Sequence, residues 1–194
     1  MQQLSANELF KLEDYARERA AFRERVLQHK IARRIAIGKH LSLYFEDRLT
    51  VQYQIQEMLR IERIFEIDAI EEELSVYNPL IPDGHNLKAT CMLEYSDENE
   101  RREQLRRLGG IEHQIWIQVA QLPRVYAIAD EDLERTDMEK TSAVHFLRFE
   151  LSPKMIEGLH QQGDLCMGVD HPNYNHQTGP IGADSLVSLR NDID

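Results

Sequence analysis

The sequence predicts an α+β fold: a mainly antiparallel β-sheet of about five to seven strands, with N-terminal and central helices packed on one of its faces. Two observations lead to this prediction. Apolar residues recur at the helical spacings of three and four in the first part of the chain, and from Leu87 onward they alternate with polar residues, as in strands. Because the helical and the strand segments cluster separately along the chain, we expect them to form separate layers.

The length and the charge of the chain limit its organisation and its partners. With 194 residues the chain can form one domain, residues 1–194, which we divide into a helix (1–30), a core (31–172) and a final loop and helix (173–194). The net charge is −11, although the first forty residues carry nine Lys and Arg against five Asp and Glu. An acidic body argues against nonspecific binding to nucleic acid or to anionic membranes. The basic N-terminal segment can contact an acidic partner or the acidic part of its own fold, and self-association stays open.

No apolar run approaches the roughly 20 residues of a membrane helix, and the polar N-terminus lacks the apolar core of a signal peptide. We therefore expect a soluble cytoplasmic protein without membrane insertion. Cys91 and Cys166 are far apart in the sequence and lack C-x-x-C spacing, so they are expected to be buried free thiols.

The first predicted elements are a long helix and a β-hairpin. Ser5 and Glu8 form a capping box sequence, and the apolar residues after them continue an amphipathic helix to about Lys30. Alternation in residues 35–37 and in His40–Glu46 then predicts two strands joined by a tight turn. One face of the second strand is apolar, and its other face carries an imidazole, a phenol and a carboxylate.

A second helix begins at about Arg48 and carries Glu62 near the centre of its apolar arc. The arc is defined by apolar residues at spacings of three and four: Val51, Ile55, Met58, Leu59 and Phe65. Because an unpaired charge is too costly to bury, we expect Glu62 to be partly buried beside a polar partner, either as a structural residue or as part of a site. Glu57 lies on the opposite face of this helix and is expected to be exposed.

The next helix begins at Asp68 and has to end before Pro79, which lacks a backbone donor and restricts the residue before it. Its acidic run EIDAIEEEL is typical of a solvated helix face. The elements predicted after it are a strand (87–95), a charged helix (97–108), three strands (111–119, 124–130 and 142–151), a short helix (152–162), a last strand (165–169), a loop (170–182) and a terminal helix (184–192).

Several motifs of known chemistry are absent from the sequence. It contains no G-x-x-x-x-G-K-[ST], G-x-G-x-x-G, G-x-S-x-G or H-E-x-x-H, so phosphate-loop, dinucleotide, nucleophile-elbow and zincin chemistries have no sequence support. His113 and His145 lie on otherwise apolar segments, and we interpret both as hydrogen-bonded core histidines.

A mixed set of carboxylates and histidines leads to a metal-site hypothesis. The set consists of His40, Glu46, Glu62, Asp170 and His171. Oxygen and nitrogen ligands of this kind suit a divalent transition metal such as iron, manganese or zinc. The hypothesis requires that the polar face of strand 40–46 and the loop 170–176 come together in the fold. Most histidines in polar loops bind no metal, so a structural role is the simpler interpretation.

Four blocks of the sequence resemble successive blocks of a bacterial family of uncharacterised proteins of about this length, defined only as a domain of unknown function. The blocks lie between Ala32 and Pro172 and read HLSLYFEDRLTVQYQIQEMLRIERI, LSVYNPLIP, LKATCMLEYSDENERREQLRRLGGIEHQIWIQV and GVDHP. Genes of this family often lie beside those of rubrerythrin-like proteins and iron–sulfur oxidoreductase subunits, so the resemblance implies a redox or oxidative-stress setting. It implies no reaction, cofactor or catalytic residue.

Two functional hypotheses follow. The first is an accessory or binding protein for a redox system, which recognises a protein partner through its helical face or its basic N-terminal segment. The candidate binding residues are polar residues of the matching blocks: Arg48, Tyr53, Gln54, Glu57, Tyr77, Asn78 and Glu94. The alternative is a metal-dependent enzyme or metal carrier that uses the carboxylate and histidine set.

Overall fold

The computed structural model describes residues 2–129 and 141–194, and it confirms the predicted α+β class. The helices in these residues are α1 (Leu12–Ala32), α2 (Arg48–Glu62), α3 (Ile67–Tyr77), α4 (Glu98–Arg107), α5 (Pro153–His160) and α6 (Ala183–Arg190). The strands are β1 (Arg34–Ile37), β2 (Leu41–Phe45), β3 (Asn86–Leu93), β4 (Ile115–Val119), β5 (Val125–Tyr126), β6 (Ile128–Ala129), β7 (Val144–Glu150), β8 (Leu165–His171) and β9 (Tyr174–Gln177). None of the helices in the described ranges combines the length and the apolarity that crossing a membrane requires.

The strands form two antiparallel sheets, where the sequence predicted one. The larger sheet has the order β1-β2-β3-β7-β6, and the smaller has the order β5-β4-β8-β9. The predicted hairpin of the first two strands is confirmed, with Ile35 opposite Leu43. The segment predicted as a loop after residue 170 instead contains β9, which pairs with β8. Apart from Tyr174, the residues of β9 are polar and exposed, so they lack the alternating apolar pattern that indicates a strand.

The two sheets share one apolar core. Leu43 and Leu147 from the larger sheet and Ile117 from the smaller sheet belong to the same cluster of buried side chains. Cys91 lies in this core as predicted, whereas Cys166 is only half-buried, and both are free thiols. Because side chains alternate along a strand, the second face of the larger sheet points away from this core.

The N-terminal helix begins later than predicted. Ser5 and Glu8 do form a capping box, but it closes only a short 3₁₀ turn, and α1 starts at Leu12. In the break between them, both backbone polar groups of Phe10 are bonded by the buried side chain of Gln56. This contact with α2 replaces the helical hydrogen bonds that the break removes.

The helices α1, α2 and α3 bury their apolar residues in two clusters of their own, beside the core of the sheets. One cluster contains Leu4, Val51, Ile55, Leu59, Leu74 and Ile81. The other contains Tyr15, Phe22 and Val26. The helical layer therefore has its own small cores. Within this layer α2 contacts both α1 and α3.

The prediction that Glu62 is partly buried is wrong. The helix α2 starts at Arg48 as predicted, but it ends at Glu62, where Arg63 adopts the left-handed conformation with φ of 56°. Glu62 is exposed, and Phe65 is 71% exposed. An apolar arc is buried only where a neighbouring element covers it, and burial within α2 stops at Leu59.

The two histidines predicted for the core differ in the structure. His145 in β7 is fully buried, and its Nε2 lies 2.8 Å from the hydroxyl of Thr141. His113 is exposed, because it lies in a 3₁₀ turn (Ile111–Gln114) and the strand begins only at Ile115. The alternation that predicted a strand at His113 therefore extends beyond the strand itself.

Candidate functional site

The second face of the larger sheet, here called the polar face, carries Arg34, Ser42, Tyr44, Glu46 and Thr90. Ser42 and Tyr44 alternate along β2 with residues of the core, and Thr90 of β3 lies opposite Tyr44. Glu46 directly follows β2 and is 4% exposed. A buried carboxylate at this position needs hydrogen-bond donors from the surrounding elements.

Three neutral groups donate hydrogen bonds to the Glu46 carboxylate. The hydroxyl of Thr50 donates to Oε2 at 2.6 Å, and the amide of Gln54 donates to the same oxygen at 3.0 Å. The hydroxyl of Thr90 donates to Oε1 at 2.7 Å. Within residues 2–129 and 141–194, no Lys, Arg or His forms an ion pair with Glu46. The site is thus a buried carboxylate with hydrogen-bond partners and, in the described part of the chain, without a contacting cation.

The buried guanidinium of Arg33 contacts the backbone of Glu46 and pairs with other carboxylates. Its guanidinium donates to the backbone oxygens of Phe45 at 2.9 Å and of Glu46 at 3.0 Å, and it pairs with the side chain of Asp192. It also lies 3.5 Å from a carboxylate oxygen of Asp47. Burial alone would raise the pKa of Asp47, but Arg33 and the hydrogen bond from the Thr50 backbone hold that pKa below its usual value.

A second carboxylate, Glu94, lies at the exposed end of the polar face. It accepts hydrogen bonds from Ser42 at 2.7 Å, Arg34 at 3.1 Å and Tyr44 at 3.4 Å. The hydrogen bond from Ser42, followed by the hydrogen bond and the charge of Arg34, lowers the pKa of Glu94 below its usual value. This carboxylate has a cationic partner, Arg34, which distinguishes it from Glu46 as far as the described residues go.

The structure does not bring the five predicted metal ligands together. Among the described residues, no group of three or more His, Cys, Asp or Glu side chains is arranged to hold a metal ion. The ring of His40 stacks on Tyr95 with a centroid distance of 4.2 Å. The ring of His171 contacts the carbonyl of Gly109 at 3.3 Å. With Glu62 exposed on the helical layer, the metal-site hypothesis loses its geometric basis.

Asp170, the fifth predicted ligand, belongs to a separate cluster on the smaller sheet. It accepts hydrogen bonds from the indole of Trp116 at 3.0 Å, from Arg124 at 2.8 Å and from the phenol of Tyr126 at 2.7 Å. Burial opposes ionisation of Asp170, but the hydrogen bonds from Tyr126 and Trp116 and the charge of Arg124 keep its pKa below the usual value. The carboxylate is already satisfied by these donors.

The strand at residue 40 and the hairpin at residue 174 do meet, as the metal hypothesis required, but through a tyrosine. The hydroxyl of Tyr174 accepts hydrogen bonds from the backbone N–H groups of His40 at 2.9 Å and Leu41 at 3.0 Å. It donates to the carbonyl of Ile37 at 2.8 Å. This contact joins the two sheets and fixes the turn between β1 and β2.

Most of the predicted binding residues on the helices hold the helical layer together. The side chain of Asn78 bonds both backbone groups of Leu4, at 2.8 and 2.9 Å. Arg48 pairs with Glu8, and Glu57 pairs with α1. The half-buried residues Tyr53 and Tyr77 pack against the two helical clusters. Of the predicted set, Gln54 and Glu94 contact groups on the polar face.

One apolar surface stands out on the helical layer, at the connection between α2 and α3. Ile61, Phe65 and Ile67 are 61%, 71% and 58% exposed, and we call these three residues the α2–α3 tip. Single exposed apolar residues are common, but a group of large ones within one short segment is typical of a binding surface.

The sequence pointed to Glu46 and Gln54 as candidates, but not to the residues that form hydrogen bonds and ion pairs around them. Thr50 and Gln54 follow Glu46 at helical spacings of four and eight, a signal that could have placed them on one face of α2. Thr90 and Asp192 gave no local signal, because strand pairing and the docking of the C-terminal segment bring them to the site.

Comparisons with known proteins place the chain among proteins without an assigned activity. The sequence matches the family model described as "Protein of unknown function (DUF3501)" over residues 3–193. It is also similar to a crystal structure of a novel protein of unknown function from Burkholderia pseudomallei, with 50% identity, coverage of 100% of both chains and a TM-score of 0.94. No curated protein matches the chain. These findings confirm the predicted resemblance to a family of unknown function.

Proposed function

The chain belongs to the DUF3501 family, whose function is unknown, and we propose that it is an accessory or binding protein that docks on a partner protein through its α2–α3 tip. The observation that carries this proposal is the exposure of Ile61, Phe65 and Ile67, each more than half exposed on one short segment. Burying one such side chain against a partner contributes about 1.5–3 kcal/mol, so three of them can form the centre of an interface.

The charges around the tip indicate the chemistry of the partner. Residues 60–72 carry five exposed carboxylates and only two exposed arginines, Arg60 and Arg63; the carboxylates are Glu62, Glu66, Asp68, Glu71 and Glu72. An interface of this kind is complemented by an apolar groove rimmed by Lys and Arg. We therefore infer that the partner protein binds the tip in an apolar groove that is surrounded by basic residues.

The redox or oxidative-stress setting implied by the sequence resemblance is part of this proposal. In that setting the partner is a component of a redox system, and the DUF3501 chain has a binding role. A docking role requires no catalytic motif, in agreement with a sequence that carries none of the common ones.

A photo-cross-linking amino acid at position 65 tests the proposal in cells. We expect one basic partner protein to be captured from position 65. The same probe at position 76 is the matched control, because Val76 is also exposed, at 66%, and lies on the opposite side of α3 from Ile67. A Glu66→Lys and Asp68→Lys double variant should lose the capture, because it reverses the charge beside the tip.

Two outcomes would overturn the proposal. Capture of the same proteins from positions 65 and 76 would show that the tip has no specific role. Capture of only a second copy of the chain, with a doubled mass in sedimentation, would assign the tip to self-association instead of to a partner protein.

A further inference from the structure

Residues 2–10, here called the strap, are held against α2 and α3 through their backbone. The side-chain amide of Asn78 bonds both the N–H and the carbonyl of Leu4, at 2.8 and 2.9 Å. The side-chain amide of Gln56 bonds the same two groups of Phe10, at 2.5 and 3.3 Å. Because an amide carries both a donor and an acceptor, it can pair in this way with the backbone of any residue. The strap is therefore bound as a peptide chain is bound.

One face of α2 supplies most of these contacts. Arg48, Gln52 and Gln56 follow one another at a spacing of four residues, which places them on the same side of the helix. Gln52 donates to the carbonyl of Glu8 at 3.0 Å, and Arg48 donates to the carbonyl of Gln2 at 3.2 Å. Arg48 also pairs with the carboxylate of Glu8, so the charge of the helix face is complementary to that of the strap.

A single apolar side chain anchors the strap. Leu4 is 4% exposed and belongs to the apolar cluster that contains Val51 and Ile55 of α2 and Leu74 of α3. The other side chains of the strap are exposed or half-buried. When proteins bind peptides in this manner, the backbone bonds supply affinity and the side-chain pocket supplies specificity.

From this arrangement we propose that the strap is the internal occupant of a peptide-binding groove between α2 and α3, and that the groove binds the matching segment of a partner protein. The matching segment carries a leucine, a glutamate four residues later and an aromatic residue six residues later, as Leu4, Glu8 and Phe10 do. The groove shares no residue with the α2–α3 tip, so this inference does not depend on the docking role of the tip.

The strap is built as a unit that can leave the groove without unfolding the helices. Its turn is closed within itself, by the capping box of Ser5 and Glu8. It is joined to α1 through Lys11, whose backbone is extended, and the helix begins only at Leu12. Segments with few buried apolar contacts open at a lower free energy than the core. Because the strap stays tethered, a partner segment competes with a high effective concentration of it.

Fluorescence anisotropy with a fluorescein-labelled peptide of residues 2–12 tests the proposal on the whole chain. In the protein variant Leu4→Asp the strap carries a charge that the apolar pocket excludes, so the groove becomes available. We expect this variant to bind the peptide saturably and roughly tenfold or more tighter than the wild type, whose own strap competes. The peptide with Leu4→Asp is the matched control and should bind neither protein.

A charge exchange identifies the groove as the place where the peptide binds. Adding Arg48→Glu to the Leu4→Asp protein should weaken binding of the unchanged peptide by roughly tenfold, because Glu8 then meets a like charge. A peptide with Glu8→Lys should recover the affinity. If the Leu4→Asp protein binds no peptide, or binds the control peptide equally well, the proposal is overturned.

Hydrogen exchange of the wild type gives a test that does not depend on the folding of Leu4→Asp. The N–H groups of Leu4 and Phe10 should exchange roughly tenfold or more faster than that of Ile55 in α2, because the strap opens locally. Equal rates would show that the strap leaves only when the whole protein unfolds, and would overturn the proposal. Dimers of the wild type that the peptide dissociates would assign the groove to the strap of a second copy, and would overturn the assignment to a partner protein.

Discussion

The carboxylate of Glu57 accepts a hydrogen bond from the phenol of the buried Tyr15 at 2.7 Å, and this contact joins α2 to α1. Arg19, one turn further along α1, donates to both oxygens of the same carboxylate at 2.7 and 2.8 Å. The hydrogen bonds from Arg19, together with that from Tyr15, lower the pKa of Glu57 to about 2. Helical periodicity placed Glu57 on the exposed face of α2, but α1 covers that face.

Replacing Glu57 by alanine is expected to lower the free energy of unfolding by about 2 kcal/mol, because the phenol of buried Tyr15 loses its acceptor. Glu62→Ala is the matched control at an exposed position of the same helix, and it should change that free energy by less than about 0.5 kcal/mol. Chemical denaturation of both variants measures the two values. Equal values would mean that the contact between the helices adds no stability.

The hydroxyl of Tyr174 satisfies three backbone groups of the β1–β2 hairpin. Tyr174→Phe leaves those groups without their partner, so we expect a loss of about 3 kcal/mol in the free energy of unfolding. Tyr126→Phe removes a hydroxyl that is also hydrogen-bonded, to Asp170, but lies on an exposed residue, and it should cost less than about 1 kcal/mol. Thermal or chemical unfolding distinguishes the two, and a small loss for Tyr174→Phe would show that water replaces its hydroxyl.

The stability of the protein should depend on the protonation of Asp192. Burial raises the pKa of Asp192 to about 6 against the opposing effect of Arg33, and Asp47 adds to the rise. This pKa lies above the ordinary value of 3.8, so the folded state binds the proton more tightly than the unfolded state. The stabilisation that results is complete below about pH 4 and is lost as the pH rises through about 6.

Denaturation curves at several pH values test the role of Asp192. Between about pH 4 and pH 7 the wild type should lose up to about 3 kcal/mol more stability than Asp192→Asn, which has no carboxyl group to titrate. Asp184→Asn, at an exposed position of α6, should follow the wild type. If the free energy of unfolding changed equally with pH in the wild type and in Asp192→Asn, the raised pKa of Asp192 would be contradicted.

Local sequence patterns were sufficient for the fold class and for most element positions. The alternation in β2 placed Glu46 on the face that carries the site, and Asp47 caps α2 next to it. These signals depend on residues within a few positions of one another, so the sequence alone contains them.

The parts that could not be predicted depend on contacts between distant segments. The break before α1 is stabilised by Gln56, and the Glu46 site needs Thr90 from the next strand of the sheet. Glu62 has the helical position of a buried residue, but the neighbouring elements do not cover it. Pairing partners and the extent of covering layers are properties of the assembled fold.

The pairing of Arg33 with Asp192 joins residues 159 positions apart in the chain. During synthesis on the ribosome, α1 is complete long before residue 192 has been translated. Until then the guanidinium of Arg33 lacks this carboxylate, and burying it fully would be costly. Docking of α1 against the strand–helix junction at Glu46 is therefore completed only after residue 192 has emerged, and until that moment the nascent protein exposes surfaces that a chaperone can bind.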